Sequence, residues 1–295
     1  MRWADGFIAV DWGTTNRRAY RIDRRGICDS EFEDGGGVLS TPEPDFPAAA
    51  SAIRERLGDL PLLLAGMIGS TRGWVEAPYV PCPAGLADVA ARLCWIEPGR
   101  TAIVPGLSFE SAEHWDVMRG EEIQLFGAIA SGLIPPTAVI CHPGTHNKWG
   151  LLEKGRITGF RTVMTGEMFN LLRSQGILAE FLGNDVVPGD VFRQGVRRGL
   201  QGPALTAELF SVRARVLLGA MAREDSSAYT SGLLVGLDLS VGLDLSKGSD
   251  FIIMGRPELT ELYAAAAAEA GRTCQVVDGS AAFLAGAIAL ARALE

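Results

Sequence analysis

The sequence predicts an α/β protein of two similar lobes, and three observations carry that prediction. The 295 residues, 47% hydrophobic and 21% charged, have ordinary globular composition and supply enough chain for two cores. Short apolar runs that end in turn residues alternate with stretches of helical periodicity. One pattern of strand, turn and strand also occurs twice, nearly half the chain apart.

The elements follow in order. Phe7 to Val10 is an apolar run ending in Asp11, "WGTTN" supplies a turn, and "RRAYRID" with "RRGI" reads as a second strand and its turn. "LPLLLAG" is an apolar strand that leads into the glycine-rich block "GMIGSTRGWVEAPY". In "DVMRGEEIQLFGAIASGL", Ile123, Phe126, Ile129 or Ala130, and Leu133 share one face at helical spacing. The helix therefore begins near Gly120, with Glu121 and Glu122 in its first turn, where the helix dipole also favours acids. The prolines of "GLIPPT" stop it and set a boundary, giving a first lobe over residues 1–134 and a second over 135–295.

The second lobe opens with apolar Ala138 to Cys141, the turn "PGTHN" and the strand "KWGLLEKGRI". "TGEMFNLLRSQGILAEFL" is a helix for which Thr165 is a candidate N-cap. Val235 to Ser246 is a perfect tandem hexapeptide, "VGLDLSVGLDLS", read as a local duplication in a loop or helix end with no function attached. "DFIIMGRPELTELYAAAAAEAG" is a strand, a glycine and a proline-started helix, and "DGSAAFLAGAIALARALE" is an apolar closing helix.

Laid over one another, "DWGTTNRRAY" and "HPGTHNKWGL" match Gly13 with Gly144, Thr14 with Thr145 and Asn16 with Asn147, while Arg17 meets Lys148, all 131 residues apart. Each loop has what a phosphate site needs. Glycine lets the backbone approach, amides and threonine hydroxyls donate to phosphate oxygens, and a basic side chain adds charge. Two such loops could grip a polyphosphate from both sides. A pair of plain hairpin turns is the other reading, and duplication favours the first.

A net charge of -8 argues against nucleic acid and anionic membranes as partners. Five scattered cysteines without a CxxC pair suit a reducing compartment. The start carries no apolar signal-peptide core, and Ala281 to Ala291 is too short to span a bilayer, so a soluble cytoplasmic protein is expected. Cys141 and His142 alternate across a predicted strand while His146 lies in the turn, which counts against a zinc site and against a Cys–His catalytic pair.

Five ordered blocks, "VDWGTTNRRAY", "AGMIGSTRGWVEAPYVPCPAG", "VMRGEEIQLFGA", "PGTHNKW" and "TVMTGEMFNLL", resemble the 2-dehydro-3-deoxygalactonokinase family of the actin, Hsp70 and sugar kinase superfamily. The similarity runs from about Ile8 to the closing helix, with His142 and Asn147 as departures from the family's pattern. The resemblance implies two ribonuclease-H-like (actin-like ATPase) lobes with ATP and Mg2+ in an interlobe cleft. It also implies transfer of the γ-phosphate to the 6-hydroxyl of 2-dehydro-3-deoxy-D-galactonate, a step of galactonate catabolism.

Residue by residue, the resemblance implies Asp11 as the metal carboxylate, and Asp11, Gly13, Thr14, Thr15, Gly144, Thr145 and Lys148 as phosphate-binding, with His146 and Asn147 beside them. It implies Gly255, Arg256 and Pro257 at adenosine. The proton acceptor falls on Glu121 or Glu122, with Glu121 preferred and Asp116 as a further candidate. Asn16, Arg17, Gly69, Ser70, Arg72, Trp74, Arg119 and Glu167 are the candidates for the sugar acid, whose carboxylate asks for a guanidinium beside neutral donors. Trp74 is read with equal ease as the anchor of a surface loop. The partner expected is a small sugar acid, and a homodimer is left open. The alternatives are an exopolyphosphatase-like or nucleotide hydrolase, a kinase for a related 2-keto-3-deoxy acid, and a nucleotide-binding scaffold.

Overall fold

The computed structural model describes residue 3 and residues 5–294. The chain divides into two compact units. One comprises Met1–Thr137, Leu152–Gly159 and Gly279–Glu295, and the other Ala138–Leu151 and Phe160–Asp278. The closing helix and the tip of one hairpin thus group with the opening 137 residues.

The first unit runs β1 (Gly6–Trp12), β2 (Arg17–Asp23), β3 (Cys28–Asp34), α1 (Phe46–Leu57), β4 (Leu62–Gly66), β5 (Val80–Pro81), α2 (Leu86–Ala90), β6 (Cys94–Glu97), β7 (Thr101–Ile103), β8 (Leu107–Glu110), β9 (Trp115–Met118) and α3 (Glu121–Ala130). Its six-stranded sheet has the order β3-β2-β1-β4-β7-β6. β1 pairs antiparallel with β2 and parallel with β4, so it is buried on both faces and reads as a continuous apolar run rather than an alternation. Ile8, Val10 and Trp12 pack with Phe46, Ile53 and Leu57 of α1 and with Leu62 and Leu64 of β4. β5, β8 and β9 form a separate three-stranded sheet that ends at Met118, one residue before Arg119.

The second unit's elements are β10 (Ala138–His142), β11 (Asn147–Glu153), β12 (Arg156–Val163), α4 (Thr165–Ser174), α5 (Asp190–Leu200), α6 (Leu205–Leu217), α7 (Ser226–Ser246), β13 (Phe251–Gly255), α8 (Pro257–Glu269) and β14 (Cys274–Asp278), followed by α9 (Gly279–Arg292). The sheet order is β12-β11-β10-β13-β14, with β10, β13 and β14 parallel as β1, β4 and β7 are in the first unit. Three consecutive strands followed by two that join later is one plan used twice. The duplicated Gly-Thr turns therefore occupy equivalent places, between β1 and β2 and between β10 and β11.

Each unit closes a helix pair on glycines. A Cβ on Gly127 of α3 would stand 1.9 Å from the Ala282 carbonyl of α9, and one on Gly286 the same distance from the Ile123 carbonyl. α5 and α7 interlock through Gly195, Gly199, Gly232 and Gly236, each facing a carbonyl of the other helix at 2.0 to 2.4 Å from the missing Cβ. The small residues let the backbones touch.

Two expectations change. The helix opening at Thr165 does not run on to Leu182 but stops at Ser174, where Gln175 turns extended and Gly176 takes φ +75°. Of the two places expected for the tandem hexapeptide, the structure shows the helix end, extended to the whole C-terminal half of the 21-residue α7 and much of it buried.

Candidate active site

In the first unit the candidates gather at the C-terminal ends of two parallel strands. Asp11 lies opposite Ala65, and Trp12 opposite Gly66. Gly66 takes φ +92°, and a Cβ there would sit 2.8 Å from the Trp12 carbonyl oxygen and 3.5 Å from Asp11 Oδ1. No larger residue fits without closing the space beside that carboxylate. Gly120, φ +106°, abuts Gly66 and turns the chain into α3.

The two glutamates at the start of α3 occupy different environments. The Arg119 amide donates to Glu121 Oε2 at 3.1 Å, and the Gly120 amide donates to Glu122 Oε2 at 2.7 Å. Glu121 is half-exposed, whereas Glu122 has no accessible surface and its Oε1 finds no hydrogen-bond partner among the described residues. Burial first, and the Glu121 charge second, push the Glu122 carboxyl up to about 8. Sequence alone does not separate the pair, because both residues satisfy the same helix-start rule.

Arg119 lies over the Tyr79 ring at 4.4 Å and donates through Nη2 to the Ala77 carbonyl at 2.7 Å, while its Nε and Nη1 have no partner among the described residues. A Cβ on Gly69 would meet Nη1 at 2.8 Å, so that glycine makes room for the guanidinium. Ser70 donates to the Met67 carbonyl at 2.7 Å, Arg72 and Glu76 are exposed, and Trp74 is half-buried against the first unit's core. Arg17 makes a two-point ion pair with Asp34 at 2.9 and 3.1 Å and stacks over Trp12 at 5.0 Å. Asp116 pairs with His114 at 3.3 Å on the small sheet.

The first turn is closed by the Gly13 amide donating to the Asn16 carbonyl at 2.9 Å. Its carbonyls are drawn back: those of Gly13, Thr14 and Thr15 accept from the amides of Val38, Leu39 and Gly37. A Cβ on Gly37 would lie 2.3 Å from the Thr15 carbonyl carbon, so only glycine permits this contact. Thr14, Thr15 and Asn16 are exposed, and with the carbonyls tied back the turn's outer side offers amides and hydroxyls.

The second turn is built the same way by a different segment. The Thr145 carbonyl accepts from the Glu167 amide at 2.9 Å, and a Cβ on Gly166 would meet the Gly144 carbonyl at 2.5 Å, so the start of α4 rests on the turn. Thr145 and His146 are exposed, and His146 Nε2 bonds Glu167 Oε2. Lys148 is buried and donates to Thr162 Oγ1 at 2.6 Å. Asn147 is fully buried and donates to Asp238 at 2.8 Å. Thr165 is not the N-cap; that position is Met164, and the Thr165 hydroxyl turns inward to Asp238.

Gly255 ends β13 beside Pro143, 3.6 Å from the position of its missing Cβ, and exposed Arg256 precedes Pro257 at the start of α8. An open cavity of about 320 Å³ is lined by Gly255, Pro257, Thr260, Glu261, Val277 and Asp278. Among the described residues no group of three metal-ligating side chains occurs, and no helix is long and apolar enough to cross a membrane.

Gly37, Gly66 and Asp238 are additions to the residues singled out from sequence. The glycines' signal lies only in what they approach in space. An aspartate inside the apolar repeat was the visible hint for Asp238, since a charge there needs buried partners.

One strand order in two units, each with a Gly-Thr turn whose carbonyls are held from behind, defines an α/β protein of duplicated plan. The fold is shared at a distance: the activator of 2-hydroxyisocaproyl-CoA dehydratase from Clostridium difficile, solved with bound ADPNP, aligns over 98% of this chain and 95% of its own, at 13% identity and a TM-score of 0.50. The model of the 2-keto-3-deoxy-galactonokinase family matches residues 11–290, and the chain belongs to that family. It is 35% identical over 290 residues to the 2-dehydro-3-deoxygalactonokinase of Escherichia coli strain K12, covering 98% of both chains. A crystal structure from Sinorhizobium meliloti that carries the same kinase name provisionally superposes with a TM-score of 0.91 at 35% identity, over 98% of this chain and 99% of that one.

Proposed function

We propose that this protein is a phosphotransferase that moves the γ-phosphate of ATP to the 6-hydroxyl of 2-dehydro-3-deoxy-D-galactonate, the sugar acid in its relative's name. One observation carries the reading beyond the family. Asp11 Oδ1 lies beside Gly66, Gly66 abuts Gly120, and the chain turns there into Glu121, which puts a carboxylate for metal and a carboxylate for a proton at one backbone contact. Each unit is ribonuclease-H-like in this reading, three consecutive strands extended by two later parallel ones.

Phosphoryl transfer asks the protein chiefly for positioning and charge stabilisation. Magnesium keeps several waters and needs few protein ligands, and the space that Gly66 leaves beside Asp11 Oδ1 suits it. Asp11 would hold the ion, which supplies neutralisation of phosphate charge. Glu121 accepts the substrate hydroxyl's proton, because the acceptor must touch that hydroxyl and Glu122 has no surface to offer. Glu122 stays protonated at neutral pH and anchors Gly120.

Exposed Arg72 answers the sugar acid's carboxylate and exposed Asn16 offers a donor to its hydroxyls, while Arg119, set over Tyr79 and bonded to the Ala77 carbonyl, holds the loop of Gly69 and Ser70 in place. Arg17 is committed to Asp34 and shapes the turn from behind; Trp74 holds the loop of Gly69 and Ser70 on the core. Gly13, Thr14 and Thr15 in one unit, and Gly144 and Thr145 in the other, offer amides and hydroxyls to phosphate. Lys148 stiffens its strand pair through Thr162, and Glu167 orients His146. Adenosine takes the cavity beside Gly255, Arg256 and Pro257.

The test is ADP release, measured by coupled assay with and without a panel of 2-keto-3-deoxy sugar acids. The reading expects release only with an acceptor acid and fastest with the galactonate-derived one. Acceptor-independent release would make the protein a hydrolase, and nucleotide binding without release would make it a scaffold.

A further inference from the structure

The tandem hexapeptide places one aspartate, Asp238, fully inside the second unit. Four side chains from three other elements donate to it. Asn147 Nδ2 at 2.8 Å and Trp149 Nε1 at 2.6 Å, both on β11, reach Oδ1; the Tyr263 hydroxyl of α8 at 2.5 Å and the Thr165 hydroxyl of α4 reach Oδ2. The amide and indole nitrogens can only donate, so this is an acceptor site for a carboxylate.

We propose that Asp238 is a positioning residue for the nucleotide, locking the second Gly-Thr turn, the start of α4 and the middle of α8 into one geometry. The inference rests on the reading that Gly144 and Thr145 bind phosphate. Three of the four donors sit within a helical turn of residues at the turn or the cavity. Asn147 follows the turn directly, with Thr145 two residues before it. Thr165 precedes Gly166, whose backbone rests on the Gly144 carbonyl. Tyr263 is one turn along α8 from Thr260, and Thr260 and Glu261 line the cavity beside Gly255. A merely cohesive core would be served as well by apolar side chains of similar volume. The carboxylate fixes orientation, which apolar contact does not.

The repeat then acquires a physical account. Gly242 lies four residues after Asp238 on the same face of α7, and a Cβ there would stand 2.3 Å from the Trp149 ring. The second copy's glycine seats the indole that donates to the first copy's aspartate. Six residues advance a helix by about 240° beyond a full turn. The same residue types therefore meet different neighbours: Gly236 faces the Val196 carbonyl of α5, and Asp244 is exposed.

The experiment is steady-state kinetics on Tyr263→Phe, Thr165→Val, Asp238→Asn and Asp238→Leu, with KM for ATP and for the sugar acid measured on the same preparations and folding checked by thermal melting. Loss of one hydroxyl bond to the carboxylate is expected to raise KM for ATP about tenfold. KM for the sugar acid should stay within about twofold, since the affected elements are those assigned to the nucleotide. Asp238→Asn keeps an oxygen for the amide and indole and should fall between the single-hydroxyl variants and Asp238→Leu. If the melting temperature drops while both KM values hold, or both rise together, Asp238 is structural only and the inference fails. Thr145→Ala separates the two levels: raised KM for ATP there without any change in the Asp238 series sinks this inference alone, whereas an unchanged value sinks the nucleotide reading and this inference with it.

Discussion

Gly66 and Gly120 meet glycine to glycine: a Cβ on Gly120 would stand 3.2 Å from the Gly66 Cα, and both residues hold positive φ. The end of β4 and the start of α3 thus lie backbone against backbone, which brings Asp11 and Glu121 into one neighbourhood.

Replacing either glycine by alanine should therefore damage turnover more than folding. A non-glycine residue at φ near +100° is strained; a carbon added at Gly66 must displace the Trp12 carbonyl of β1 at 2.8 Å, and one added at Gly120 must ease α3 from β4 by a few tenths of an ångström. A displacement of about 1 Å near reacting groups costs on the order of 10²-fold in rate. Activity within a few-fold of the parent in a folded Gly120→Ala variant would show that this contact does not set the site.

The two glutamates give opposite expectations. Glu121→Gln removes the proton acceptor and should lower kcat by roughly 10²- to 10⁴-fold with little change in KM. Glu122→Gln keeps an oxygen for the Gly120 amide and should lose less than about tenfold. The reverse order would assign the base to Glu122.

Glu122 also makes stability depend on pH. Its carboxyl is raised to about 8 from an ordinary 4.5, so the folded state holds a proton that the unfolded chain releases. Stability from this group is fully present below about 4.5 and falls by about 1.4 kcal/mol per unit as pH rises to about 8. Denaturant titrations at pH 5 through 9 should show that decline in the parent and a flatter profile in Glu122→Gln. Parallel profiles would mean that Glu122 ionises at its ordinary value.

The glycine seam between α3 and α9 predicts a stability effect without chemistry. Gly286→Ala forces a carbon to within 1.9 Å of the Ile123 carbonyl, and the helices must part. Overpacking of this kind costs about 1–3 kcal/mol, and thermal melting should report it. A variant as stable as the parent would show that the seam is loose.

The legible part of this protein was what repeats along the chain. The Gly-Thr turns were visible because Gly13 and Gly144 recur with the same neighbours, and the sheet orders bear out the duplication. The α3 start was legible because apolar spacing from Ile123 onward fixes the helix face and leaves Glu121 and Glu122 in the first turn. Contacts between distant segments were not. Nothing near Gly37 or Gly166 in sequence says that a turn's carbonyls lie against them, and Asp238 reads as one half of a repeat until Asn147 and Tyr263 arrive from 91 and 25 residues away. Glu121 and Glu122 obey one local rule, and only burial, a sum over distant atoms, tells them apart.

The most direct test of the account is the product itself. The protein, ATP, magnesium and 2-dehydro-3-deoxy-D-galactonate should be followed by 31P and 13C NMR. One sugar phosphate, esterified at the 6-oxygen, should form mole for mole with ADP. Inorganic phosphate as the accumulating product, or phosphate on another hydroxyl, would contradict it.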